Sequence, residues 1–344
     1  MCDENLPGRV LASAAKAVEG IIPVKSKSVY EKEYSRFIQW TNDNSVKTVN
    51  ETVLLAYFQE LTADFSPNSL WTKFSMLRKE LMVKKVVNSA KKFSQLEAYL
   101  KQRSKGYQPK KSKVLTREQV LTFLKNASDE SFLMIKIALV KGVFGACRRD
   151  ELVKMKRSDV RDMGEHILVN IPASKNDKPR SFMVIEDNEM DALRLIRSYI
   201  SRRPLHETND RFFLCLRGGR CTAQPVGKNT IGAIPSKIAA FLGLPDAKSY
   251  TGHCLRRTAA TLHANAGGSV LNLKQLGGWK SSTVAEGYVD DSECSKRKNA
   301  GLICGVNKSV DIKTSSQFSS VTDSKGVNFS GHFTNCTFEI KQKE

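Results

Sequence analysis

A chain of 344 residues is longer than one hydrophobic core usually organises, so two domains are expected, and its 40% apolar content is enough to fill both. Lysine and arginine number 55 against 35 acidic residues, a formal charge of +20 that calls for a polyanionic partner. A membrane span is excluded: the longest apolar stretch, Phe132 to Cys147, is broken by Lys136 and Lys141 and falls short of the ~20 residues required.

Nucleic acid is the polyanion that remains. Asp3 and Glu4 with scattered Ala and Val form no signal-peptide core, so an intracellular protein is expected, nuclear in a eukaryotic host. Eight cysteines lie scattered without a C-x-x-C pair, which favours reduced thiols over a disulfide framework. The five histidines do not fall at ligand spacing either, so neither metal nor any other cofactor is expected.

Residues 1–25 show little periodicity and read as a flexible leader. Tyr30, Tyr34, Phe37 and Ile38 then share one helical face, as do Val53, Leu54, Tyr57, Phe58 and Leu61 after an Asn50 cap. Further helices are expected over Leu70–Met82 and Phe93–Leu100, which makes residues 26–104 a small all-helical domain. Next come Lys101, Arg103, Lys105, Lys110, Lys111 and Lys113 with no acid among them, interrupted by Gly106 and Pro109. Such a run cannot bury itself, so residues 105–115 read as a basic linker. The cations would lie along a DNA backbone; a plain solvated connector is the alternative.

A second domain, 116–300, opens at the capping box Thr116-Arg-Glu-Gln119. Helices are expected through Leu152, then two strands, Ile167–Ile171 and Ser181–Ile185, around a turn at Asn176-Asp177 and Pro179. Phe212–Leu216 suits a third strand, and the remainder from Asp187 reads as mostly helical. The class is therefore mainly α with a small β-sheet, α+β. Residues 301–344 form a Ser-rich tail in which Phe338 and Ile340 alternate with polar neighbours, as a strand docking on a neighbouring protomer would.

Chemistry concentrates late in the second domain. His253-Cys254-Leu255-Arg256 places a general acid/base one helical turn before a cation that can fork onto phosphate oxygens. Leu276-Gly277-Gly278-Trp279 adds an indole that can pack and donate one hydrogen bond, and Tyr288 adds a phenol. Phosphodiester transfer needs a nucleophile, charge neutralisation on the phosphorane and a proton for the leaving oxygen. Taken singly, His253 suits a helix cap, Trp279 a core residue and Tyr288 an ordinary amphipathic position.

In this order the motifs resemble the C-terminal signature of the tyrosine recombinase, or phage integrase, family: H-x-x-R, a Gly-(His/Trp) element, then a nucleophilic Tyr. The resemblance implies a helical core-binding domain ahead of a catalytic domain. It assigns Tyr288 as nucleophile, Arg256 and Arg148 as phosphate ligands, and Glu151 as buttress of Arg148. Arg149 is the competing first arginine. Lys175, in the hairpin turn, matches the lysine that protonates the leaving 5′ oxygen, with Lys178 as its rival. His253 exchanges the proton of the tyrosine or bonds the phosphate, and Trp279 fills the His/Trp position.

The implied activity is site-specific recombination or integration of double-stranded DNA through a 3′-phosphotyrosine, without ATP or metal, by a homo-tetramer on synapsed sites. The domain arrangement looks like that of Crypton-type transposon recombinases. A domesticated, non-catalytic DNA-binding protein and a type IB topoisomerase are the alternatives, the latter opposed by His253, where those enzymes carry a cation.

Overall fold

The computed structural model describes residues 7–84, 93–173, 178–204, 209–290 and 292–305. The chain divides into two compact units, 1–111 and 112–344. Among the described residues, no helix is long and apolar enough to cross a membrane.

The N-terminal unit contains α1 (Gly8–Glu19), α2 (Lys27–Asp43), α3 (Glu51–Leu61), α4 (Pro67–Val83) and α5 (Ser94–Ser104). Within residues 1–25, expected as a flexible leader, Gly8–Glu19 are helical, and their apolar residues Val10 and Leu11 stay exposed. Asn50 caps α3 as its side chain suits, accepting the Val53 N–H at 3.0 Å. Phe93 offers α5 no such acceptor. The Glu51 carboxylate takes over, accepting the N–H groups of Gln95 and Leu96 at 2.7 and 3.1 Å.

Phe37, Tyr57, Phe58, Phe74 and Phe93 fill the centre, and successive neighbours meet largely edge to face. Inside this shell Lys73 donates to Glu33 at 2.6 Å, and its ammonium sits 4.2 Å above the Phe65 ring. Lys101 and Arg103, read as part of a basic run, belong to the last turn of α5, where cations oppose the negative end of the helix dipole.

The second unit opens as expected, with Thr116 and Gln119 forming both halves of the capping box of α6 (Arg117–Asn126). Helix α7 (Asp129–Phe144) is buried along its whole middle and forms the axis of the core. After α8 (Arg149–Lys154), strands β1 (Val160–Asp162), β2 (His166–Ile171) and β3 (Arg180–Ile185) form one antiparallel sheet. Its inner face carries Ile167, Val169, Phe182 and Val184.

Helix α9 (Ala192–Ser201) precedes a second hairpin, β4 (Leu214–Arg217) and β5 (Arg220–Pro225). The predicted third strand thus starts two residues late, and both β1 and β5 went unpredicted. Helices α10 (Lys228–Phe241), α11 (Cys254–Asn265), α12 (Val270–Gly277), α13 (Ser282–Asp290) and α14 (Glu293–Ile303) complete the unit. The Ser-rich tail and its expected strand lie outside the described residues.

Candidate active site

Helix α7 ends at Gly145, where a Cβ would lie 2.3 Å from the Phe182 ring, so only glycine lets β3 approach. Ala146 follows with φ +43°, in the left-handed region, ahead of α8. Its carbonyl accepts from Arg256 Nη1 at 2.7 Å. The Gly277 carbonyl, at the end of α12, accepts from Nη2 at 2.8 Å.

Arg256 is thereby 6% exposed, with two helix C-terminal carbonyls and no carboxylate as its hydrogen-bond partners among the described residues. Burial, reinforced by the nearby Arg148, pushes the Arg256 guanidinium down to about 10, still charged at neutral pH.

Trp279 lies under this cation, its ring 4.0 Å from the guanidinium carbon. Gly278, left-handed at φ +64°, ends α12 and turns the indole back. A Cβ on Gly277 would sit 2.0 Å from Trp279 Cζ3, so the indole closes on bare backbone. Tyr288 on α13 then packs against Trp279 at 5.8 Å between centroids, with Ala260, Leu273 and Ala285 beneath. Arg257 stands 5.7 Å from the Tyr288 ring. The Tyr288 phenol is also close enough to Arg256 to enter its electrostatics.

Arg148 stands at the N-cap of α8, where its side chain cannot accept the orphan N–H groups. Glu151 supplies the acceptor instead. Its Oε2 accepts the Arg148 N–H at 2.8 Å, and its Oε1 accepts from Arg148 Nη1 at 2.9 Å. The side chain of Arg148 remains 32% exposed. Arg149 points elsewhere: it pairs with Asp150 and lies along Gly232 and Gly252. Cys147, between these elements, is a free thiol that burial pushes up to about 12.

His253 occupies the N-cap position of α11, exposed and without a side-chain cap bond, on the same helical face as Arg256. Lys175 lies outside the described residues; Lys178 is exposed beside β3. Of the linker cations, Lys105, Lys110 and Lys111 are exposed, whereas Lys113 pairs with Asp246 at 3.0 Å on the surface of its unit. Among the described residues no group of three His, Cys, Asp or Glu is placed to hold a metal ion.

One participant escaped the sequence reading. Arg180, the first residue of β3, donates from Nη2 to Glu151 Oε2 at 2.7 Å. Its signal was available: Arg180, Phe182 and Val184 share the inward face of β3, where a cation is out of place unless something binds it.

Comparison with known proteins places most of the second unit in a family. The sequence profile of the Phage integrase family matches residues 113–294. The chain therefore belongs to the phage integrase family of tyrosine recombinases, enzymes that break and rejoin DNA.

Among solved structures, the Tn1549 transposon integrase (residues 82–397) in complex with circular intermediate DNA is similar at 15% identity and TM-score 0.58, over 83% of this chain and 97% of that one. A lambda integrase dimer bound to a COC′ core site is similar at 16% identity and TM-score 0.56, over 83% and 95%. The XerH recombinase in its post-cleavage complex with palindromic difH substrate follows at 17% identity and TM-score 0.55, over 79% of each chain. At these identities the likeness is one of fold. No curated protein sequence matches the chain.

Proposed function

We propose that this chain cuts DNA with Tyr288 as nucleophile. The Tyr288 oxygen attacks the scissile phosphorus, the bond to the 5′ oxygen breaks, and a 3′-phosphotyrosine remains. His253 takes the phenolic proton, and Lys175 returns one to the departing 5′ oxygen. Arg256 and Arg148 neutralise the charge that develops on the non-bridging oxygens, Glu151 orients Arg148, and Trp279 orders Arg256 and Tyr288. The released 5′-hydroxyl attacks the phosphotyrosine of a partner duplex, which conserves the ester energy and needs no ATP.

The observation that carries this reading is the contact chain from Arg256 through Trp279 to Tyr288. A phenol is a poor nucleophile at neutral pH unless a cation steadies its anion, and a guanidinium held by the Ala146 and Gly277 carbonyls keeps its charge for that purpose.

The test is a suicide duplex nicked beside the scissile phosphate, on which the wild type should form a covalent adduct and Tyr288→Phe none. Tight binding without any adduct would leave a DNA-binding protein. Relaxation of supercoils without joint molecules would point to a topoisomerase.

We further propose that the active assembly is a tetramer on two duplexes, with the tail contacting a neighbouring protomer. Removing residues 326–344 should weaken assembly before it weakens monomer folding. Tetramers of unchanged stability in analytical ultracentrifugation would remove the tail from this account.

A further inference from the structure

Two guanidiniums converge on one carboxylate at this site, and only Arg148 has been given a task. Glu151 receives Arg148 through its backbone N–H and Nη1, and Arg180 through Nη2. One cation would neutralise Glu151. A second, only 9% exposed in its side chain, carries a desolvation cost that a valine or leucine on this inward strand position would avoid.

The cost is not recovered by full pairing, because Arg180 Nη1 is buried without a hydrogen-bond partner among the described residues. The aliphatic stem is confined as well. A Cβ on Gly278, the residue that turns Trp279 under Arg256, would lie 3.3 Å from Arg180 Cδ.

Arg180 therefore touches both halves of the phosphate site: the Glu151–Arg148 pair on one side and the Gly278 turn on the other. It also closes the register of the hairpin, opposite Ile171, on the far side of the segment that contains Lys175. Among the described residues, the guanidiniums of Arg148, Arg180 and Arg256 gather around the Glu151 carboxylate, the first two bonded to it. A positive surplus suits a phosphorane, which gathers more negative charge than the ground-state diester.

We propose that Arg180 is a positioning residue for strand cleavage, holding Glu151, and through it Arg148, in the orientation that receives the scissile phosphate; this rests on the cleavage reading above. Lysine cannot replace it, because a point charge on a flexible stem lacks the planar fork that reaches Glu151 from a fixed stem along Gly278. A misplacement of about 1 Å in such a group costs roughly 10²-fold in rate.

The test uses the full-length chain and the suicide duplex, with Arg180→Lys, Arg180→Met, Glu151→Gln and the double variant Arg180→Met/Glu151→Gln. Duplex affinity should stay within about 3-fold of wild type in each. The single-turnover rate of adduct formation should fall roughly 10²-fold in both Arg180 variants, and the double variant should be no slower than the slower single.

A third measurement follows the order of the Arg148 side chain by 15Nε relaxation, which should loosen in Arg180→Lys although the fold is retained. Should Arg180→Met not fold, Arg180→Lys carries both the rate and the relaxation arms. Adduct rates within about 3-fold of wild type, multiplicative losses in the double variant, or an Arg148 equally ordered in Arg180→Lys would each overturn the proposal. If the wild type forms no adduct, the cleavage reading fails instead, and Arg148 relaxation alone decides whether Arg180 holds it in place.

Discussion

Lys73 in the N-terminal unit and Arg256 in the second are both cations withdrawn from water, and they are accommodated in opposite ways. Lys73 is given a carboxylate, Glu33, at 2.6 Å and an aromatic face, so its charge is cancelled where it stands. Arg256 is given two backbone carbonyls and an indole, which satisfy its donors while leaving its charge uncompensated by an anion of its own. The first arrangement holds helices together. The second keeps a positive centre ready for a ligand that brings the negative charge with it.

This contrast predicts how each site breaks. Arg256→Ala should lower the rate of adduct formation by about 10³-fold while duplex affinity moves only a few-fold, as single-turnover assays and binding titrations would show. Collapse of binding would mean that Arg256 serves affinity and not the charge of the transition state. Lys73→Met should act on folding instead, destabilising the chain by roughly 3 kcal/mol in urea because Glu33 is left charged and buried. Replacing both partners together, Lys73→Met with Glu33→Leu, should recover most of that loss.

Lys141 sharpens the comparison because, among the described residues, it has an aromatic face but neither a carboxylate nor a carbonyl to receive its protons. It is fully buried in α7, 3.7 Å from the Phe212 ring centre and 3.7 Å from Met155 Sδ, and burial pushes its ammonium down to about 7. In the unfolded chain this lysine keeps its proton up to its ordinary 10.5, so between these values the folded state binds fewer protons. Stability contributed at this position therefore rises with pH across that window, and the full cost of the charge is present below about 7. Lys141→Met should stabilise by about 1–3 kcal/mol at pH 6 and by less at pH 10, measured by urea unfolding at both.

The smallest effect belongs to the exposed linker cations. Lys110→Ala and Lys111→Ala should each flatten the dependence of log affinity on log salt by about 0.9, without changing the adduct rate at saturating duplex.

Much of the site was legible because its parts lie at short, helix-compatible spacings. Arg256 follows His253 by one turn of α11, and Trp279 and Tyr288 follow the end of α12. The Thr116 box and the Asn50 cap were legible for the same reason: their partners are three residues away. Arg180 was not, since it meets Glu151 across 29 residues and only the sheet brings them together. Strand β5 could have been read from Gly218-Gly219, whose positive φ angles form the hairpin turn, but the surrounding cysteine, threonine and arginine residues carry little apolar alternation. Helix α1 was legible in principle, since Val10, Leu11, Ala14, Ala17 and Val18 share one helical face, but among the described residues none of its side chains is buried, so that face has no partner to anchor it.

The two oxygens that hold Arg256 belong to the main chain at Ala146 and Gly277. No point substitution can delete them. What mutation can disturb is the path of the chain: a φ of +43° at Ala146, and the bare Cα of Gly277 against which the indole rests. The guanidinium is thus secured by architecture as well as by the indole beneath it, and at Ala146 and Gly277 the requirement falls on the path of the chain.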